Sequence, residues 1–272
     1  MMQDDFEDFH VRVFAENKSH EGFFPEHGLS LGIHFRGMDV LFDTGAGKAL
    51  PYNAEKFGCP LCKYHDLILS HGHNDHTGGI ITLKHLKKIY YVSDIFNERF
   101  SLHEDGTINS IGMPKECHAF LENISQFVIK QPTAIFDGWN LTGEIPHVVS
   151  TGCSEKFFLD KSCTLIDSIK DEQALLLANG VLITGCCHAG LINTIEFCKK
   201  SFPNISIRVI IGGLHFLHAC EKDLQDIVEY IQKKTCISAM HLMHCTGEYA
   251  IAYLQQALPN IHIDSFHAGD SF

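Results

Sequence analysis

The stretch Ser70-His71-Gly72-His73-Asn74-Asp75-His76-Thr77-Gly78-Gly79 puts three imidazoles and one carboxylate into six consecutive positions. It follows the apolar run Leu67-Ile68-Leu69 and ends in two glycines. Four such groups crowd together only at a cost in repulsion or burial unless a cation binds them. His71 and His73 are two residues apart, so in an extended segment they point to the same side and hold one ion. Asp75 and His76 come where the chain turns and are expected to face a neighbouring second ion. Zinc, iron and manganese all accept this mixture of imidazole and carboxylate. The bland alternative is a solvated, histidine-rich turn.

Working outward, residues 11–14 alternate in polarity, and residues 29–35 alternate over a full strand length. Arg36-Gly37 supplies a tight turn and residues 38–42 return, which predicts a hairpin. Residues 65–70 form the next strand, which ends at the histidine cluster. Beyond the double glycine, Ile80, Ile81, Leu83 and Leu86 lie near helical spacing, with Lys84, Lys87 and Lys88 interleaved. Tyr90-Tyr91-Val92 is a further strand. Residues of about 95–150 are less regular and are expected to be either an inserted flap over the site or peripheral decoration.

The second half follows the same logic. Residues 174–178 and 181–184 flank Asn179-Gly180, a strong hairpin signal. Residues 191–201 look helical, and 205–211 form a strand ending at Gly212-Gly213. Glu221 to Lys234 is an amphipathic helix, with Leu224, Ile227, Val228 and Ile231 on one face. A strand near 239–243, a helix from about 248 to 258 and an alternating tail at 261–267 complete the pattern. A two-layered sheet core with helices on both outer faces satisfies this order.

The order His-x-His-x-Asp-His resembles the signature of the metallo-β-lactamase superfamily. That family also shows an Asp-Thr-Gly turn upstream, matched here by Leu41-Phe42-Asp43-Thr44-Gly45. Within it the chain looks closest to proteins related to the 7,8-dihydropterin-6-yl-methyl-4-(β-D-ribofuranosyl)aminobenzene 5'-phosphate synthases. The stretches similar to that branch are His27-Gly28-Leu29-Ser30, Gly143-Glu144-Ile145-Pro146, Thr184-Gly185-Cys186-Cys187-His188-Ala189-Gly190, Gly212-Gly213-Leu214-His215 and His244-Cys245-Thr246-Gly247. The resemblance implies an α/β fold of αββα four-layer type, as a single domain over residues 1–272.

A dinuclear site needs further ligands from other strand ends. His188, His215 and His244 each follow a strand that runs into a glycine-containing turn, where a side chain approaches an ion without backbone clash. His188 and His215 are therefore expected ligands, and His244 is a candidate for the metal or its immediate surroundings. Most superfamily members place an aspartate after the strand that runs into Thr-Gly, where it bridges both metals. This chain has Cys186 there. A thiolate ligates borderline metals, so either Cys186 substitutes directly or His188 supplies the ligand two residues on. Asp43 is expected to accept a hydrogen bond from a metal-bound imidazole, against the alternative of a plain turn residue. Asp171-Glu172-Gln173 either bonds a ligand or is simply solvated.

Composition narrows the function. With 272 residues, 45% hydrophobic and 20% charged, the chain has an ordinary globular composition. Its formal net charge of −12 argues against nonspecific nucleic-acid binding, which needs Lys and Arg to neutralise phosphates. It leaves an anionic substrate open, because divalent ions dominate the local field of a site. The acidic start and the lack of an apolar run near 18 residues predict neither a signal peptide nor a membrane span. Eleven cysteines, an odd number in so long a chain, suggest buried thiols in a reducing cytoplasm. Cys59-Pro60-Leu61-Cys62 is expected to be two nearby buried cysteines.

These observations predict a metal-dependent hydrolase holding two divalent transition-metal ions, zinc first, with manganese or iron as alternatives. A metal-activated hydroxide would attack a small anionic or phosphorylated ester, lactone or phosphodiester, with Asp75 as ligand, orienter and proton shuttle. The alternatives are the branch's own transferase-like synthase chemistry and a non-catalytic metal-binding protein. The partner is a small molecule, with no nucleic acid or membrane, and the oligomeric state is left open.

Overall fold

Strand Phe9–Ala15 buries Phe9, Val11 and Val13 while His10 stays exposed, the period-two pattern of a strand with one covered face. It opens the first of two compact units in a computed structural model that describes residues 8–103, 105–149 and 156–272. The first unit gathers the described residues of Met1–Val128, Glu155–Asp171 and His267–Phe272; the second gathers those of Ile129–Ser154 and Glu172–Phe266.

The first unit is built on a six-stranded sheet in the order Phe9–Ala15, Ser30–Phe35, Met38–Phe42, Asp66–Ile68, Lys88–Tyr91 and Ser125–Val128. The first three strands are antiparallel and the pairings after Met38–Phe42 are parallel. The expected hairpin forms with Phe35 opposite Met38. Its turn residues Arg36 (φ 50°) and Gly37 (φ 71°) both take left-handed backbone, the twist that suits a two-residue hairpin. Leu41, Leu67 and Ile89 from adjacent strands pack with Leu50 and Ala54 of helix Ala49–Lys56 and with Cys117 and Leu121 of helix Lys115–Leu121. A small four-stranded sheet, Ile166–Asp167, Phe157–Phe158, Phe100–Leu102 and Ile108–Ser110, belongs to the same unit.

The second unit carries a seven-stranded sheet in the order His262–Ser265, Ala239–Leu242, Val209–Gly212, Val181–Thr184, Leu175–Leu177, Trp139–Leu141 and Thr133–Phe136. Its first four strands are parallel and linked by helices Leu191–Ser201, Glu221–Lys234 and Glu248–Ala257. One face of the sheet, with Leu176, Leu182, Ile210, Met240 and Leu242, packs against Leu191, Ile195, Leu224, Val228, Ile231 and Leu254 of those helices. Both helices read from periodicity, 191–201 and 221–234, have the expected ends.

Three expectations change. The residues after Gly79 do not form a helix of any length, only the single 3-10 turn Ile80–Thr82. The amides of Lys87 and Lys88 both donate to the His65 carbonyl, at 2.8 and 3.0 Å. That tether starts strand Lys88–Tyr91 too soon for a stable helix to fit. Residues 95–150 contribute short strands to all three sheets; segments of three or four residues carry too little periodicity to stand out in a sequence. Finally, Cys59 is buried but Cys62, on the turn Leu61–Lys63, is exposed. None of the described cysteines is in a disulfide. No helix of the described residues is long and apolar enough to cross a membrane.

The helix-covered face of the second sheet should carry much of that unit's stability. Leu224→Ala, which empties a fully buried position, is expected to lower the free energy of unfolding by about 2–5 kcal/mol. Urea denaturation at unchanged m-value measures it.

Candidate metal centre

In the first unit the parallel strand Asp66–Ile68 runs directly into the histidine cluster, and helix Asn74–Thr77 turns the chain within it. Asp43 sits at the end of the neighbouring strand Met38–Phe42 and is fully buried. Its Oδ1 accepts the Ser70 amide at 2.7 Å. Its Oδ2 accepts the Ser70 hydroxyl at 2.6 Å and the His76 Nδ1–H at 2.7 Å. With its proton committed to Asp43, the Ser70 hydroxyl accepts from His71 Nδ1 at 2.9 Å. The network thus assigns the tautomers of two rings. His71 and His76 each keep their proton on Nδ1 and present the Nε2 lone pair.

His71 Nε2 faces His73 Nδ1 at 3.0 Å, and both rings are buried. On a tetrahedral zinc ion with Zn–N bonds of 2.0–2.1 Å, two such nitrogens stand about 3.3 Å apart. The spacing fits a shared divalent cation. Asp75 is about one-seventh exposed; its Oδ2 lies 3.7 Å from His76 Nε2 and 3.3 Å from Nε2 of the exposed His27. Gly28 explains how His27 comes so near. A Cβ there would stand 2.3 Å from the Asp75 carbonyl, and φ is +144°.

A second anchor holds the loop from the other side. The Gly72 amide donates to Asp171 Oδ2 at 2.8 Å. Asp171 is clamped by two nitrogens of Arg99, at 2.6 and 3.0 Å, while Arg99 Nε binds Asp167 at 2.7 Å. Arg99 and Asp171 are completely buried. Burial alone would lower the Arg99 pKa, but the two aspartates outweigh it and hold it above its usual value. A side chain on Gly72 would meet Arg99 at 2.3 Å, so the loop needs a glycine there.

The second unit brings together the other predicted residues. Cys186 and His188 follow strand Val181–Thr184, His215 follows Val209–Gly212, and His244 follows Ala239–Leu242. The three loops are stitched together. The Gly213 amide donates to the Gly185 carbonyl at 2.9 Å, that of Leu214 to Thr246 Oγ1 at 3.1 Å, and that of Leu217 to the Cys245 carbonyl at 3.2 Å. Glu172 accepts the amides of His188 and Ala189, both at 2.6 Å. The rings of His188 and His215 lie 4.3 Å apart. Asp171 and Glu172 are therefore buried supports and not a solvated run. Arg99 and Cys245 had no role in the sequence reading, because nothing in their local pattern sets them apart.

Among the described residues seven non-glycine residues have positive φ. Four of them are Asp43 (55°), Cys187 (62°), His215 (54°) and His244 (55°). Left-handed backbone costs about 1 kcal/mol or more for such residues and gathers where function needs a particular side-chain aim. Here every one of the four is a predicted site residue or the neighbour of one.

Comparison with known proteins matches residues 36–108 to the Metallo-beta-lactamase superfamily. The chain is 28% identical over 258 residues, 90% of its length and 94% of the relative's, to the uncharacterized protein MJ0448 of Methanocaldococcus jannaschii. It is 24% identical over 264 residues to the 7,8-dihydropterin-6-methyl-4-(beta-D-ribofuranosyl)-aminobenzene-5'-phosphate synthase of the same organism, covering 87% of this chain and 88% of that one. Among solved structures it superposes on Tm1679, described as a metal-dependent hydrolase of the beta-lactamase superfamily, with a TM-score of 0.84 and 26% identity over 97% of this chain and 98% of the other.

Two substitutions test these supports. Asp43→Asn replaces an acceptor that orients two imidazoles and is expected to weaken zinc binding about 10- to 100-fold, measured by competition with a chromogenic chelator. Arg99→Met leaves two buried aspartates uncompensated. It is expected to destabilise the fold by about 3–5 kcal/mol, read as a lowered denaturation midpoint.

Proposed function

Because the chain belongs to the metallo-β-lactamase superfamily and has its fold, we propose that it is a metal-dependent hydrolase of small anionic or phosphorylated esters, lactones or phosphodiesters. The observation that carries this reading is the pair of buried imidazole nitrogens, His71 Nε2 and His73 Nδ1, 3.0 Å apart, with the His71 tautomer set through Ser70 and Asp43. In the first unit His71, His73, Asp75 and His76 would serve as donors to divalent ions; in the second His188 and His215 would do so, with Cys186 and His244 as further donors. Two such ions supply Lewis acidity and lower the pKa of water from 15.7 towards neutrality.

The protein's own groups do the rest. Asp43 and Ser70 hold the ring protons away from the site, so His71 and His76 offer lone pairs without prior deprotonation. Asp75, at the site's partly open edge, orients the attacking water and receives its proton. His27, beside that carboxylate and open to solvent, is placed to pass the proton outward. The 24% identity with the pterin-related synthase over most of both chains supports a second reading, a transferase-like synthase on a phosphorylated aminobenzoate-type substrate. Turnover of simple phosphodiesters or lactones without a second substrate favours the hydrolase; turnover only with both co-substrates favours the synthase.

Reconstituted protein is expected to hold about two zinc, manganese or iron ions per chain by elemental analysis, and less than half an ion would overturn the reading. His188→Ala should lower both metal content and activity. Asp75→Asn, with its fold intact by circular dichroism, should lose at least a hundredfold in turnover, about 2.7 kcal/mol in the barrier. Near-native turnover would exclude Asp75 from the chemistry.

A further inference from the structure

Cys245 lies between His244, a candidate ligand, and Thr246, whose hydroxyl accepts the Leu214 amide and holds the loop. Its thiol is buried and donates to the Cys186 carbonyl at 3.5 Å. The Sγ of Cys186, the Sγ of Cys245 and a ring nitrogen of His215 all lie within 4.8 Å of one another. A tetrahedral zinc ion with Zn–S bonds of about 2.3 Å spaces two sulfurs about 3.8 Å apart, and a sulfur and a nitrogen about 3.5 Å apart. The three donors are thus close enough to be drawn onto one ion.

The backbone is arranged to let the thiol in. A Cβ on Gly213 would stand 2.6 Å from Cys245 Sγ and 2.6 Å from the Gly185 carbonyl. Only a glycine leaves that space. Left-handed backbone at His215 and His244 turns both loops sharply where these donors project. Two sulfurs and one imidazole form a soft donor set. Carboxylate- and water-loving ions such as magnesium gain little from it, whereas zinc and iron(II) gain much.

Resting on the metal-centre reading above, we propose that Cys245 is a metal ligand together with Cys186 and His215, and that the centre is built for a thiophilic divalent ion. It takes a thiol pair where most members of the superfamily place an aspartate.

Cobalt(II) substitution of the full chain tests this. The wild-type protein should show thiolate-to-cobalt charge-transfer absorption in the near ultraviolet. Cys245→Ser should lose about half of it, and the Cys186→Ser/Cys245→Ser double variant all of it. The zinc Kd of Cys245→Ser should rise at least tenfold. Cobalt bound with visible ligand-field bands but no charge transfer, or with charge transfer undiminished in Cys245→Ser, would overturn the thiol assignment and leave the metal centre standing. Failure of the wild-type chain to bind cobalt would remove both. If Cys245→Ser does not fold, cadmium-113 resonance of the wild-type protein decides: a shift typical of two sulfur ligands supports the assignment, and one typical of a single sulfur or none overturns it.

Discussion

The buried carboxylate of Asp43 is the contact on which the first half of the site depends. It accepts three hydrogen bonds, from the Ser70 amide, the Ser70 hydroxyl and the His76 ring. Bonds to a charged acceptor contribute about 1.5–3 kcal/mol each, which offsets the left-handed backbone that Asp43 adopts. Through Ser70 the same carboxylate reaches His71. One side chain at the end of one strand thereby sets the proton positions of two rings in the segment that follows the neighbouring strand.

Around this anchor the chain uses acids as buried supports rather than as surface charge. Asp171 receives the Gly72 amide and is neutralised by Arg99; its neighbour Glu172 receives the amides of His188 and Ala189. Each of these adjacent residues steadies the loop that carries a predicted ligand in its own unit. Such supports restrict the loops without occupying the donor atoms, and a metal site needs that arrangement if its ligands are to be aimed before the ion arrives.

The second unit differs in its donors. At the end of strand Val181–Thr184, where most superfamily members place an aspartate, this chain has Cys186, and the Cys245 thiol donates to its carbonyl at 3.5 Å. Burial pushes the Cys245 thiol up, but hydrogen bonds with Cys186 and His215 and the adjoining His244 and His215 outweigh it, and the group is held well below its usual value. Cys187, one residue from Cys186, shows the opposite. Burial and the nearby Glu172 raise it far above the ordinary range, and it packs into the helix-covered core. Adjacent cysteines thus have separate tasks, one beside the candidate donors and one in the core.

Much of this was legible in the residues themselves. The crowding of His71, His73, Asp75 and His76 after an apolar strand was legible, because the side-chain period of a short extended segment is local. The hairpin at Arg36-Gly37 and the helices 191–201 and 221–234 were legible for the same reason. The 3-10 turn in place of a helix after Gly79 was not, since the tether to His65 comes from a distant strand. Nor were the roles of Arg99, Asp171, Glu172 and Cys245. Burial of an acid against an arginine 72 positions away, or of a thiol against a glycine 32 positions earlier, depends on which loops the sheet brings together. Sequence alone determined which donors exist and where the short-range elements form; tertiary structure decided which donors meet and which proton each ring keeps, because those depend on contacts that the local pattern does not encode.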